Sequence, residues 1–284
     1  MADVTQPADD RHHPVEHYEN FPVASWLCPP RLRRPVAAIY WFARTADDIA
    51  DEGSATVEER RADLLAYTKD LETCLSGNAS SARWPRVFAG LRSAAHDFAL
   101  PAQPLFDLLD AFSQDVEMTA AGGTYRDRTQ LLDYCRRSAN PVGRLLLHLY
   151  GVQDPQALAQ SDAICSALQL INFWQDLSVD LPRGRYYLPA EDCRRHGFTP
   201  QAPASEALPA LIAELCAWAR ALMESGAPLV HRVPGRAGWE LRLVVQGGLR
   251  ILQRIEAIGW RTHERRPTVG ARDAVPMLWA AARM

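Results

Sequence analysis

Apolar residues recur every three to four positions along most of the chain, and no stretch alternates strictly between apolar and polar. The first spacing belongs to helices packed on one side, the second to half-buried strands, so the pattern predicts an all-α chain. Residues 101–120 show it clearly, with Leu105, Leu108, Leu109, Phe112 and Val116 on one stripe. Start and stop signals divide the rest. Pro35 suits the first turn of a helix running to Asp51, and Thr56 with Glu59 three residues later spells a capping box for a helix ending at Leu75. Pro85 opens a helix to Phe98 after a small-residue loop over 77–82, and Gly122-Gly123 closes the helix over 101–120. A helix over 127–150 is expected to kink at Asn140-Pro141, where the ring removes an amide and meets the preceding turn. Asp154-Pro155 restarts the chain into a long helix that Pro182 stops. Residues 181–204, rich in Pro and Gly, are expected to be the longest connection, a flap carrying Tyr186 and Tyr187. Helices over 205–230, 238–264 and 273–283 complete a single all-α domain over 16–284, preceded by a disordered leader over 1–15.

Two of these helices carry a polar stripe where a core-facing stripe should be apolar. Gln169, Asn172, Phe173, Asp176 and Asp180 share one face of the long helix; Tyr40, Arg44, Asp47 and Asp51 share one face of the first. Each face holds two aspartates four residues apart, which stacks their carboxylates about 6 Å from one another, close enough to repel unless a cation or a proton intervenes. Arg183 and Arg185 follow the second pair. One such pair is more often an ordinary solvated surface than a site. Two pairs, each in an otherwise apolar helix with aromatic or amide neighbours, point inward, where cations must offset the loss of water.

Composition narrows the function. A chain of 284 residues buries about three quarters of its unfolded surface, enough to tolerate an interior cavity. Its 31 Lys and Arg against 34 Asp and Glu leave a net charge of −3, which argues against nucleic-acid binding and against electrostatic adhesion to anionic lipid. Six cysteines without a C-x-x-C pattern read as reduced thiols of a cytosolic protein rather than zinc ligands or disulfides. No apolar run reaches about 18 residues, so neither a signal peptide nor a spanning helix is expected.

The cation could be iron or magnesium. Di-iron bundles use Glu-x-x-His, which does not occur here. Hard carboxylate oxygens beside an amide and arginines suit Mg²⁺ bridged to a substrate phosphate. No glycine-rich phosphate loop is present, which leaves phosphate to metal and arginine. The set suggests departure of a diphosphate. Mg²⁺ on Asp47, Asp51, Asp176 and Asp180, with Arg44, Arg183 and Arg185, would stabilise the leaving group as the carbon–oxygen bond breaks. The carbocation left behind needs a dry, aromatic pocket, for which Phe21, Tyr40, Tyr134, Phe173 and Trp260 are candidates. For any one of these rings, core packing is the commoner reason to be buried.

Three segments carry a resemblance to a known family. Tyr40 to Asp51, Tyr134-Cys-Arg-Arg-Ser-Ala-Asn-Pro-Val-Gly and Gln169 to Pro189 resemble the head-to-head trans-isoprenyl diphosphate synthases, the squalene and phytoene synthase family. Glu19-Asn-Phe-Pro-Val-Ala-Ser and Asn172-Phe-Trp-Gln-Asp are similar to its bacterial hydroxysqualene-forming branch, which serves hopanoid synthesis. The resemblance implies an isoprenoid-synthase helical bundle around a deep cavity, with Mg²⁺ between facing aspartate helices. By position Asp47 and Asp51 match the first metal pair, and Asn172, Asp176 and Asp180 the second. Tyr40, Arg44, Gln169, His17 and Asn20 match diphosphate contacts, and Arg183 and Arg185 the basic flap, with Tyr187 beside them as a further substrate contact. For this branch it implies conversion of presqualene diphosphate and water into hydroxysqualene and diphosphate, without NADPH. The chain departs at Gln175 and Val179, where relatives usually place Arg and Glu, and at Trp260, where several place a Tyr. The first two changes fit an enzyme that handles one diphosphate rather than two. Condensation of two prenyl diphosphates, or a non-catalytic assembly factor of the same fold, are the competing readings. The resemblance implies a cytoplasmic protein in transient contact with the inner membrane face at most, since no basic amphipathic anchor is evident.

Overall fold

A computed structural model of the chain describes residues 27–78, 81–200 and 206–284. Among them the all-α expectation holds: twelve α-helices follow one another, and the one extended pairing is an isolated bridge between Thr124 and Tyr186. The helices are α1 (Pro30–Asp51), α2 (Val57–Leu75), α3 (Pro85–Phe98), α4 (Gln103–Ala121), α5 (Arg128–Ser138) and α6 (Asn140–Leu149). There follow α7 (Pro155–Gln175), α8 (Leu177–Asp180), α9 (Ala190–Arg195), α10 (Leu208–Gly226), α11 (Gly235–Ala257) and α12 (Ala274–Ala282). The expected leader over 1–15, and His17, Asn20 and Phe21, lie outside the described residues.

Local chemistry sets most boundaries. At the start of α2 the Thr56 hydroxyl accepts the Glu59 amide while the Glu59 carboxylate accepts the Thr56 amide at 2.8 Å, the reciprocal box read from the sequence. Asp154 caps α7 by accepting the Ala157 amide at 3.0 Å, with Pro155 in the first turn. Five expectations need correction. The helix expected over 238–264 runs from Gly235 to Ala257, and Gly259 (φ 65) turns the chain beyond it. Helix α1 begins at Pro30, five residues early, with Pro35 inside it and buried; so near the start the ring forfeits one early bond, and its fixed φ is already helical. Residues 127–150 form two helices rather than one kinked helix, because Ala139 (φ −120, ψ −48) leaves the helical region. Helix α7 ends at Gln175 instead of running to Pro182: Asp176 (φ −99, ψ 13) breaks it, and the Ser178 amide donates to the Thr262 carbonyl at 3.1 Å. Residues 181–200 are not an open flap, since the Ala190 and Glu191 amides donate to the Tyr125 and Arg126 carbonyls at 2.8 and 3.0 Å.

Two hydrophobic clusters form the interior. One gathers α1 to α4 and part of α6, with Ile39, Phe42, Tyr67 and Phe88 at its centre; the other surrounds α7, which α10 and α11 flank. Tyr150 packs against both. Helix α7 is apolar nearly all round, as a helix surrounded by others must be, and Leu170, Ala167 and Trp174 on it are fully buried. Helix α10 approaches it so closely that a Cβ on Gly226 would stand 2.6 Å from the Gln160 carbonyl oxygen. Among the described residues no helix is long and apolar enough to cross a membrane.

Candidate active site

Between the two clusters opens a cavity of about 1090 Å³, walled by α1 on one side and by α7 and α8 on the other. The face of α1 opposite Ile39 and Phe42 presents Tyr40, Arg44, Asp47 and Asp51 to it. From the other wall come Gln169, Asn172, Phe173, Asp176 and Asp180, followed by Arg183, Arg185 and Tyr187. Tyr134 of α5 closes the floor. The two polar stripes read from the sequence therefore face each other.

A single side chain spans the gap. Arg185 donates to Asp51 Oδ2 at 2.8 Å, and its other terminal nitrogen lies 3.9 Å from Asp180 Oδ1. The backbone explains its position: after the 3₁₀ turn Leu181–Arg183, Gly184 takes a left-handed conformation (φ 73), and the Arg185 amide returns to the Asp180 carbonyl at 3.0 Å. On α1, Arg44 pairs with Asp47 at 3.2 Å and with Asp48 at 2.7 Å. Across the cavity, Arg266 pairs with Asp176.

Crowded carboxylates out of bulk water resist ionisation. Burial, then neighbouring Asp51, push Asp47 up to about 7; although 40% of its side chain is exposed, that surface faces the cavity. Asp180 rises to about 7, chiefly through burial and with Asp176 adding to it, while Arg185 opposes the rise. Six carboxylates and five guanidinium groups line this one cavity. With charges so nearly balanced, the walls alone offer little net attraction to a highly charged anion, and cations entering with it would strengthen its binding. Among the described residues no three His, Cys, Asp or Glu side chains converge tightly enough to hold an ion unaided. Asp47, Asp51, Asn172, Asp176 and Asp180 all line the cavity, and their oxygens are of the kind that could hold a hard divalent ion.

Sequence reasoning missed four charged lining residues, Glu52, Arg60, Asp115 and Arg266. Asp115 of α4 accepts from the Tyr134 hydroxyl and, at 3.4 Å, from the Tyr187 hydroxyl; burial raises it to about 7. Tyr187 stacks on Phe173 at 3.8 Å with ring planes 6° apart, so this corner of the cavity is aromatic with one acid beneath it. Asp115 follows the apolar stripe of α4 by position, and only its charge hints at another role. Arg60 donates to the Ile49, Gly53 and Ala55 carbonyls at 2.9 to 3.2 Å and so ties down the end of α1.

Two expected contacts lie elsewhere. Gln175 is buried, does not line the cavity and donates to the Pro267 carbonyl at 2.7 Å, since its place on α7 lies off the stripe of Gln169, Phe173 and Asp176. Trp260 ends the turn after α11 in a left-handed conformation (φ 56), its amide donating to Ile255 at 3.0 Å and its ring packed on the C-terminal cluster.

Known proteins are similar to this chain in sequence and in fold. Residues 15–273 match the squalene/phytoene synthase family. A hydroxysqualene synthase of Sinorhizobium fredii is 34% identical over 81% of this chain and 76% of its own. One of Rhodopseudomonas palustris is 32% identical over 92% and 88%. The crystal structure of squalene synthase HpnC from Alicyclobacillus acidocaldarius superposes with a TM-score of 0.76 at 36% identity, covering 86% of this chain and 90% of that one. Weaker matches include a presqualene diphosphate synthase and phytoene synthases. With facing aspartate helices around one cavity and matches across nearly its whole length, the chain belongs to the squalene/phytoene synthase family, prenyl diphosphate-processing enzymes of the isoprenoid-synthase fold.

Proposed function

We propose that the chain converts presqualene diphosphate and water into hydroxysqualene and diphosphate in the cytoplasm. The observation that carries the reading is Arg185 reaching Asp51 and Asp180 from between the two walls, which marks where an anion and its counter-cations would sit. Relatives named hydroxysqualene synthase support the choice of reaction. Val179 lining the cavity, and Gln175 turned out of it, support a site for one diphosphate.

Asp47, Asp51, Asn172, Asp176 and Asp180 would hold Mg²⁺, and the bound ion supplies the positive charge that a departing diphosphate needs. Arg44, Arg183 and Arg185 bind the same anion and fix the leaving oxygen. The carbon–oxygen bond breaks with its electron pair going to diphosphate. The cyclopropylcarbinyl cation rearranges against the faces of Phe173 and Tyr187, which stabilise positive charge without offering a nucleophile. Water then forms the new carbon–oxygen bond and gives up a proton, for which Asp115 beneath the two tyrosine hydroxyls is the acceptor.

Product analysis with purified protein tests this. Presqualene diphosphate with Mg²⁺ yields hydroxysqualene and diphosphate, while farnesyl diphosphate alone yields nothing. A lipid product from farnesyl diphosphate would assign the condensation reaction instead, and no product from either would point to a non-catalytic role.

A further inference from the structure

The last helix is apolar yet hardly covered. Helix α12 contains no charged residue, and within it only Ala281 is buried. Val275, Leu278 and Trp279 share one face, as their i, i+3, i+4 spacing requires, and are 74%, 55% and 60% exposed. On α11, the helix that α12 packs against, Trp239 is 45% exposed. Water-facing surfaces scatter such side chains singly, and a contiguous group marks a contact surface. Each tryptophan carries an arginine on its face: Arg283 lies 3.3 Å from the Trp279 ring centroid and Arg242 4.9 Å from that of Trp239. Arg242 also donates to the Ala281 carbonyl at 3.2 Å, which joins the two elements into one patch.

Charge identifies the occupant. The net charge of −3 hides an uneven distribution: residues 235–284 hold nine arginines and four acids, so the rest of the chain carries the negative excess. Two of the four acids, Glu240 and Asp273, are buried, and Asp273 is clasped by Arg250 and Arg254 at the start of α12. The arginines placed against the apolar side chains are Arg242 and Arg283, with Arg272 just before α12, and no acid is paired with any of these three among the described residues. Indole rings with guanidinium groups at their edges match the headgroup level of a bilayer, and a short apolar helix framed by arginines suits a flat anionic surface.

We infer that α12 and the Trp239 edge of α11 dock the protein on an anionic lipid bilayer, with Val275, Leu278 and Trp279 among the upper acyl chains and Arg242, Arg272 and Arg283 against lipid phosphates. The attraction that the overall charge argued against is local to this end of the fold. It goes beyond the proposed reaction and does not depend on it. The opposite face of α11, through Ala237, Leu241 and Val244, lines a separate apolar pocket of about 110 Å³, so one helix stands between the docking face and the interior.

Flotation of the full chain with vesicles of phosphatidylcholine, with and without phosphatidylglycerol and in the absence of substrate, tests the inference. The protein floats with the phosphatidylglycerol vesicles at low salt, and added salt weakens the association. Leu278→Ser with Trp279→Ser lowers the bound fraction at least about tenfold at an unchanged melting temperature. Arg272→Glu with Arg283→Glu removes the preference for phosphatidylglycerol. No flotation with anionic vesicles, or flotation that the serine pair leaves intact, overturns the inference. So does a dimer in light scattering that the serine pair converts to monomer, because the face then belongs to a second copy.

Discussion

The two aspartate pairs have the same spacing and a different foundation. Asp47 and Asp51 ride one unbroken helix of 22 residues, held from behind by Phe42 and Phe88; Arg44, one turn away on the same helix, pairs with Asp47, while Asp51 meets Arg185 from the other wall. Asp176 is the break between α7 and α8, and this wall depends on groups distant in the chain: the Thr262 carbonyl accepts the Ser178 amide, and Arg266 meets Asp176. The first wall is a fixed scaffold. The second is assembled, and residues 262–267 hold it in shape.

If both walls serve one anion, breaking either should cost alike. Asp51→Asn and Asp180→Asn should each slow diphosphate release from presqualene diphosphate by about a thousandfold or more, roughly 4 kcal/mol of transition-state stabilisation, with helical circular dichroism unchanged. A large loss in one and none in the other would remove half of the site.

Remote changes should separate the walls. Gln175→Leu leaves the Pro267 carbonyl without its buried partner, costing about 1–3 kcal/mol of stability, and should lower kcat about tenfold by loosening the assembled wall. Thr56→Ala, just beyond the fixed wall, removes a cap worth about 1 kcal/mol and should leave kcat alone. Thermal melts with steady-state kinetics on both variants decide this.

Asp115, between the walls, tests the strain of the metal-free cavity. Burial raises its carboxyl from 3.8 to about 7, so between those values the folded chain keeps a proton that the unfolded chain has lost, and stability falls as pH rises. Asp115→Asn removes that loss. It should stabilise the metal-free protein by about 1–2 kcal/mol at pH 8 once residual solvation is allowed for, and by nothing at pH 4.

What the sequence disclosed follows from how far each cause reaches. The capping box at Thr56, the Asp154 cap and both polar stripes depend on residues within one or two turns, and each is present. The break at Asp176 depends on Thr262, the outward turn of Gln175 on Pro267, and Asp115 reaches its meaning only through Tyr134 and Tyr187 on other elements. Pairings that distant leave no periodic trace. Trp260 illustrates the converse: its aromatic ring and the family resemblance suggested a cavity residue, and the left-handed turn after α11 packs its ring against the core cluster instead.

The shared anion can be measured without substrate. Calorimetric titration of inorganic diphosphate with Mg²⁺ into the unaltered chain, Asp51→Asn, Asp180→Asn and the double variant forms a thermodynamic cycle. Two walls around one anion predict that either substitution removes most of the affinity and that the second adds little. Losses that simply add, or diphosphate binding that neither substitution disturbs, would show that the aspartate pairs do not act on a common ligand.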